Sequence, residues 1–221
     1  MKLSIINGSP RGKSSNTRII LEKIQEGFSS VDSTFELEEA YLKSEKDIAR
    51  FRKMFETADI LIIGFPLYTD AMPGIVKQLF EALDPKTIKK DLRLGFIVQS
   101  GFSESYHSEF IQSYLAKLSR RLGVEYIGTA IKGGVEGIKV QPKWMTKKYL
   151  SLFYDLGQQL ALDWEFDENT MERLAQPKYL AGSRLMLTKF FIKTGLANFY
   201  WNSQLKENKA FNKRYAKPYS E

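Results

Sequence analysis

The stretch Gly8-Ser9-Pro10-Arg11-Gly12-Lys13-Ser14 comes close to the glycine-rich loop that holds the phosphates of ATP or GTP. That loop has four residues between its first glycine and the Gly-Lys-Ser, whereas only three stand here. Proteins with that loop also use an acidic residue at the end of a strand to hold magnesium. Here the acidic residue Asp59 stands at the beginning of the third predicted strand instead. We therefore expect a phosphate ligand other than a nucleoside triphosphate.

Short polar side chains crowd this first loop. Ser9, Ser14, Ser15, Asn16 and Thr17 supply hydrogen-bonding groups next to glycines that let a ligand approach the backbone closely. The loop enters the first predicted helix, whose N-terminal N–H groups attract anions. The alternative is that one of these residues only caps the helix. Because a cap needs a single residue, their number favours a phosphate cradle.

A second loop, Gly64–Gly74, follows the third predicted strand. Two prolines stiffen it, and Pro73 suits the start of the next helix. Its aliphatic and aromatic side chains offer a flat apolar wall beside the crevice that forms at the carboxyl ends of parallel strands. A phosphate cradle next to such a wall suits a phosphorylated aromatic ring.

A third loop, Gln99–His107, follows the fourth predicted strand and is expected to reach the same crevice. Ser100 and Gly101 offer N–H groups to a ligand there. Three aromatic residues of the loop are candidates for the substrate side: Phe102, Tyr106 and His107. The alternative is a plain helix start that is capped by a serine of the loop.

Apolar runs alternate with segments of helical spacing through most of the chain. The runs predict strands at Lys2–Asn7, Thr34–Leu42, Asp59–Phe65, Arg93–Ser100 and Val124–Lys132. The helical spacing predicts helices at Thr17–Phe28, Lys46–Thr57, Gly74–Leu83, Tyr106–Leu122 and about Thr146–Asp163. This order predicts an α/β protein with a parallel sheet between helices on both faces, with the second strand at an edge and the third strand buried.

Composition excludes several kinds of chemistry. The 221 residues include no cysteine and one histidine, so thiolate nucleophiles, disulfides, cysteine-held clusters and histidine metal sites are not expected. We therefore predict that a bound cofactor supplies any redox chemistry, with no metal.

The net charge of +7 is concentrated at the end, since residues 171–221 contain 10 Lys and Arg against 3 Asp and Glu. Residues 166–221 are predicted to form a basic, aromatic helical extension to a domain of residues 1–165, with one helix at Tyr179–Trp201 that packs on the domain or on a second copy.

Two motifs together resemble a known family. Gly8-Ser9-Pro10-Arg11 with Ser15-Asn16-Thr17, and Pro66-Leu67-Tyr68 with Met72-Pro73-Gly74, are similar to those of the NAD(P)H-dependent FMN reductases and related flavodoxin-like oxidoreductases. The resemblance covers roughly residues 1–135. It implies a flavodoxin-like, doubly wound sheet of five strands in the order 2-1-3-4-5.

The resemblance also implies a cofactor and its binding residues. FMN would be the cofactor and NAD(P)H the electron donor. The residues implied at the phosphate are Ser9, Arg11, Ser15, Asn16 and Thr17. Those implied at the isoalloxazine ring are Pro66, Leu67, Tyr68 and Asp70. We add Ser100 and Gly101 of the third loop at the polar edge of that ring. No side chain is assigned a catalytic role in the strict sense, because the cofactor carries the hydride step.

The function expected from the sequence is an FMN-dependent NAD(P)H oxidoreductase that passes electrons on to a small acceptor, such as a flavin, a quinone, or a nitro or azo compound. The alternative is a flavodoxin-type electron carrier, which the basic charge disfavours. Binding of nucleic acid or a membrane surface by the basic tail is a third possibility, and the sequence favours neither partner over plain packing. We expect a cytoplasmic homodimer, since the start of the chain has no signal peptide and dimers are the commonest oligomers.

Overall fold

The computed structural model describes residues 2–195 and 198–217. Within them, five strands form one parallel sheet in the order β2-β1-β3-β4-β5. The strands are β1 (Lys2–Asn7), β2 (Glu36–Tyr41), β3 (Ile60–Pro66), β4 (Arg93–Gln99) and β5 (Glu125–Lys132). The predicted fold class and strand order are confirmed, with β2 at an edge.

Helices cover both faces of the sheet. They are α1 (Asn16–Val31), α2 (Ile48–Thr57), α3 (Gly74–Glu81), α4 (Glu109–Leu122), α5 (Lys143–Asp163) and α6 (Glu168–Leu174). Apolar side chains of α1, α5 and α6 form one core with the sheet, and those of α2, α3 and α4 form the other. The short helix α6 was not predicted from the sequence.

Strand β3 separates the two cores. Ile60 and Ile62 pack into the core under α1 and α5, whereas Leu61 and Ile63 pack into the core under α2, α3 and α4. All four side chains are fully buried. This burial explains why the strand is a continuous apolar run instead of an alternating one.

Two glycines bring α1 and α5 unusually close. A Cβ atom on Gly27 would lie 2.0 Å from the carbonyl oxygen of Tyr154, and one on Gly157 would lie 2.1 Å from the carbonyl oxygen of Ile24. Because no side chain fits at either position, the two helices pack backbone against backbone. This contact holds α1, and therefore the loop that precedes it, against the sheet.

The chain divides into two compact units, Met1–Tyr179 and Leu180–Glu221. In the second unit the prediction of one helix at Tyr179–Trp201 is wrong, since the structure has α7 (Gly182–Lys193) and α8 (Phe199–Glu207). Gly195, with φ of 74°, follows α7 in the left-handed conformation that ends helices. Residues 196–197 of the predicted helix, the side chain of Tyr200 and residues 218–221 of the extension lie outside the described residues.

Candidate cofactor site

The loop after β1 is held at both ends by one buried side chain that sequence reasoning missed. The amide nitrogen of Asn7 donates to Ser15 Oγ at 3.1 Å, and Asn7 Oδ1 accepts from the backbone N–H of Ser9 at 3.0 Å. Asn7 is the last residue of β1 and is fully buried. Its amide therefore ties the entrance of the loop to the start of α1.

Three polar residues at the start of α1 have different partners. Ser15 is the N-cap of the helix, because its Oγ accepts from the N–H of Arg18 at 3.1 Å. Asn16 donates from its side chain to the carbonyl of Val135 at 3.2 Å, and Thr17 Oγ1 accepts from Gln99 Nε2 at 3.4 Å. These bonds position α1, whose first-turn N–H groups point toward the loop.

The loop after β3 continues with a tight turn. Tyr68 and Ala71 exchange two backbone hydrogen bonds of 2.9 and 3.0 Å. The residues between them, Thr69 and Asp70, have φ angles of 47° and 61°, a conformation that is uncommon for residues other than glycine. The turn projects Tyr68 and Asp70 in different directions, since only Tyr68 lines the cleft described below.

The loop after β4 supplies a buried hydroxyl. The backbone N–H of Ser100 donates to the carbonyl of Lys132 at 3.0 Å, and the carbonyl of Ser100 accepts from the N–H of Val135 at 2.9 Å. Its Oγ is buried, yet it has no hydrogen-bond partner in the part of the chain that the structure describes. A buried hydroxyl without a partner is costly, and because Ser100 lines the cleft described below, its hydroxyl is available to a ligand there.

These loops enclose a small cleft of about 50 Å³. Eight of its lining residues were predicted: Ser9, Arg11, Asn16, Pro66, Leu67, Tyr68, Ser100 and Gly101. Gln99 and Glu136 also line it and were missed, while Ser15, Thr17 and Asp70 are not among its lining residues. The cleft lies where β1 and β3 meet, which is the point at which the strand order of this sheet reverses.

Charged groups gather at the first loop. Arg11 Nη1 lies 3.4 Å from Glu136 Oε1, across the cleft. Lys139 donates to the carbonyl of Ser14, and a Cβ atom on Gly12 would lie 2.0 Å from Lys43 Cε, so both lysines stand against the loop. No local sequence signal marks Lys43, Glu136 or Lys139, because they come from other loops.

His107 lies in an aromatic cluster near this site. Its ring centroid is 4.3 Å from that of Phe102 and 3.9 Å from that of Tyr106, which in turn stacks on Tyr179 at 5.0 Å. The backbone N–H groups of Ser105 and Tyr106 donate to the carbonyls of residues 177 and 178. The third loop is thus held in place by the segment that ends the first unit.

The residues of the cleft fit a phosphorylated aromatic cofactor. Arg11 and the start of α1 provide positive charge, and Ser9 and Ser100 provide buried polar groups. Pro66, Leu67 and Tyr68 provide the apolar edge. Residues 2–195 and 198–217 contain no cluster of three or more His, Asp or Glu side chains suited to a metal ion.

Residues 1–107 match the model of the NADPH-dependent FMN reductase family. This part of the chain is therefore similar to that family. The match contains all three predicted binding loops, and it confirms the predicted class, an NAD(P)H-dependent oxidoreductase with FMN as its cofactor. Among curated proteins, none matches the chain.

Solved structures share the fold of this chain. An FMN-dependent NADH-azoreductase from Bacillus anthracis, in complex with FMN, is 16% identical, with a TM-score of 0.56 over 73% of this chain and 100% of that one. An NAD(P)H:quinone oxidoreductase from Methanothermobacter marburgensis is 17% identical, with a TM-score of 0.57 over 72% and 96%. At these identities the likeness shows the fold alone.

No helix of the described residues is both long enough and apolar enough to cross a bilayer.

Proposed function

We propose that this protein is an FMN-dependent NAD(P)H oxidoreductase that binds FMN in the cleft between the loops after β1, β3 and β4. The proposed reaction passes hydride from the nicotinamide to FMN and electrons onward to a small acceptor. The observation that carries the assignment is the buried, unpartnered hydroxyl of Ser100, which lines a cleft at the β1–β3 reversal point opposite Arg11. The family match of residues 1–107 supports it.

The two ends of the cleft would hold different parts of FMN. Arg11, Ser9 and Asn16 are proposed to bind the phosphate, and Pro66, Leu67 and Tyr68 to border the ring, with Ser100 and Gly101 at its polar edge. Ser15 and Thr17 would act by holding the start of α1 in place, because their hydroxyls are engaged within the loop network. Asp70 would stand within the Tyr68–Ala71 turn, outside the cleft.

When bound, FMN accepts the hydride and carries the redox chemistry. The chain itself would position the cofactor and exclude water from it. Leu67 is buried and would cover the apolar edge, and the carbonyl of Gln99 holds the N–H of Leu67 at 2.8 Å. No side chain is needed as an acid or a base in this step, so we assign none.

The first experiment tests the cofactor site. FMN-free protein should bind FMN much more tightly than riboflavin, which lacks the phosphate. Arg11→Ala should weaken FMN binding roughly tenfold to a hundredfold, the loss expected for charge-assisted hydrogen bonds. Lys53→Ala, at an exposed position on α2, is the control and should leave binding unchanged. Equal affinity of the wild type for FMN and riboflavin would refute the phosphate site.

The second experiment separates an enzyme from an electron carrier. FMN-loaded protein is mixed anaerobically with NADH or NADPH while the flavin absorbance is followed. Bleaching by either nucleotide within minutes at millimolar concentration supports turnover. If only a partner reductase bleaches the flavin, the chain is a flavodoxin-type carrier instead.

The cellular setting is part of the same proposal. We propose a cytoplasmic homodimer that takes a nicotinamide dinucleotide and a small-molecule acceptor, with no nucleic-acid or membrane partner. Apolar side chains of α7, such as Met186 and Ile192, are exposed, and this favours packing of α7 against another protein surface. Sedimentation of the purified protein tests the dimer directly.

A further inference from the structure

A groove lies at the opposite end of the sheet from the cleft. It measures about 300 Å³ and is formed by the loop between α3 and β4 together with the last turn of α4 and the residue after it. These segments precede β4 and β5, so the groove lies at the amino ends of the strands, whereas the cleft lies at their carboxyl ends. Small-molecule ligands occupy pockets of roughly 300–1,000 Å³, and the groove reaches this size.

Every charged side chain that lines the groove is basic. The loop contributes Lys86, Lys89 and Lys90, and α4 contributes Arg121. Lys89 forms an ion pair with Asp59. Among residues 2–195 and 198–217, no acidic side chain forms an ion pair with Lys86, Lys90 or Arg121. Three cations around one depression repel one another, and an anion bound among them would relieve this repulsion.

The acidic side chains at this end of the sheet line a neighbouring depression instead. They are Asp59, Asp91 and Glu125, and none of them lines the groove. Asp59 is already the partner of Lys89, and Glu125 Oε2 lies 3.0 Å from Arg93 Nε. Two of the three acids are therefore neutralised by other cations, and the groove keeps a net positive charge.

Hydrogen bonds hold the backbone of the loop that carries the lysines. Asp84 Oδ1 accepts from the N–H of Lys86 at 3.0 Å, and the carbonyl of Asp84 accepts from the N–H of Thr87 at 3.0 Å. The N–H of Lys89 donates to the carbonyl of Phe55, also at 3.0 Å. Because the backbone is ordered before a ligand arrives, binding costs less conformational entropy.

The floor of the groove is apolar. Ile88 and Leu122 line it and are each 8% exposed, and Pro85 lines it beside them. Gly123, with φ of 73°, ends α4 there, and a Cβ atom on it would meet nothing within 4 Å. A ligand can therefore approach the backbone at this glycine closely.

We propose that this groove is a second ligand site and that it binds a soluble organic phosphate with an apolar body. A phosphate monoester carries nearly two negative charges and three strong acceptor oxygens, which match three unpaired cations better than a carboxylate does. Its organic part would cover the apolar floor. The site is separate from the cleft, so the inference does not depend on the proposed redox function.

The test measures binding of 1-naphthyl phosphate to FMN-loaded protein by equilibrium dialysis. 1-Naphthol, which lacks the phosphate, and inorganic phosphate, which lacks the ring, should each bind roughly tenfold more weakly or worse. Lys90→Ala and Arg121→Ala should each weaken binding of the probe roughly threefold, because each removes a cation from the groove. Lys148→Ala, at an exposed position of α5 on the other face of the sheet, is the control and should leave binding unchanged.

Several results would overturn the inference. They are no binding of the probe at millimolar concentration, equal binding of 1-naphthol or of inorganic phosphate, and unchanged binding by both groove variants in folded protein. Release of FMN by the probe would place the probe in the cleft instead. If the probe does not bind and the double variant Lys90→Ala/Arg121→Ala converts a dimer to monomers in sedimentation, the groove is an interface between copies.

The proposed function has a separate outcome. Failure of the protein to bind FMN would count against that function and not against the groove. The dialysis is then run on the FMN-free protein with Arg11→Ala as a further variant. Loss of probe binding in Arg11→Ala, but not in Lys90→Ala or Arg121→Ala, would place the probe in the cleft and overturn the inference.

Discussion

If Arg11 holds the FMN phosphate as proposed, Glu136 would compete with that phosphate, and this competition predicts a mutation that tightens cofactor binding. The two side chains are 3.4 Å apart across the cleft and are 31% and 57% exposed. An FMN phosphate held by Arg11 would have to displace this carboxylate or share the guanidinium with it. We therefore expect Glu136→Gln to increase the affinity for FMN.

The magnitude follows from two modest electrostatic effects. An exposed ion pair contributes about 0.2–1 kcal/mol. FMN has to break the Arg11–Glu136 pair in the wild type, but in Glu136→Gln there is no such pair to break, so this energy is added to FMN binding. Repulsion between a carboxylate and a phosphate charge at a separation of about 6 Å in water adds about 0.7 kcal/mol per charge before screening. Salt at physiological strength reduces the repulsion to about half, and together the two effects then correspond to FMN binding that is roughly threefold to tenfold tighter.

The assay is a titration of FMN-free protein, wild type and Glu136→Gln, with FMN and with riboflavin. The gain should appear for FMN only, because riboflavin has no phosphate. It should shrink at high salt, since both charges are partly exposed. Glu22→Gln, which removes a carboxylate that pairs with Arg18 outside the cleft lining, is the matched control.

Two results would refute the reasoning. Weaker FMN binding by Glu136→Gln would mean that the carboxylate holds the cofactor directly, for example through a hydroxyl of its ribityl chain. An equal gain for FMN and riboflavin would mean that the substitution acts on the shape of the cleft and not through charge. The phosphate would then have to lie away from Arg11.

Three further perturbations have definite expected outcomes. Gly27→Ala should lower the free energy of unfolding by ~1–3 kcal/mol in urea titrations, because the added Cβ atom would lie 2.0 Å from a carbonyl oxygen of α5. Gly74→Ala is the control, since a Cβ atom there would meet open space. Partial burial raises the pKa of Asp59, but the hydrogen bond and charge of Lys89 outweigh burial and hold this pKa below its usual value. Asp59→Asn should therefore destabilise the protein at pH 7. In unfolding curves the difference from wild type should begin to shrink as the pH falls below about 4 and should vanish only below the lowered pKa. Deletion of residues 180–221 should give monomers or aggregates in sedimentation, because it removes the apolar helices proposed to need cover.

The sheet was predictable because its strands are short apolar runs between turn residues. The predicted bounds of β1 agree with the structure, and the run Ile60–Ile63 identified the central strand from its lack of polar residues. Helix α6 was missed because it has only seven residues. Its N-cap was a usable signal, since Asp167 accepts from the N–H of Thr170 at 2.7 Å.

The site was predictable only where it is local in sequence. Loops that follow neighbouring parallel strands must meet at one edge of the sheet, and this rule is enough to place Arg11, Tyr68 and Ser100 at a common crevice. Glu136 and Lys43 reach the same loop from elements whose sequences carry no motif. Their positions depend on how long the intervening loops are and how they pack, which single-sequence patterns do not determine.

The Tyr68–Ala71 turn is a feature of the site that the sequence did not reveal. Positive φ angles at Thr69 and Asp70 cost of order 1–3 kcal/mol each, and Thr69 is a β-branched residue that avoids this conformation strongly. A glycine at either position would relieve this cost. The conformation is held by the paired bonds of Tyr68 and Ala71, which leave Tyr68 in the lining of the cleft and Asp70 outside it. The strained turn therefore adjoins Pro66, Leu67 and Tyr68, which are proposed to border the flavin ring, and strain of this kind is common where a loop must hold a ligand-contacting side chain in one position.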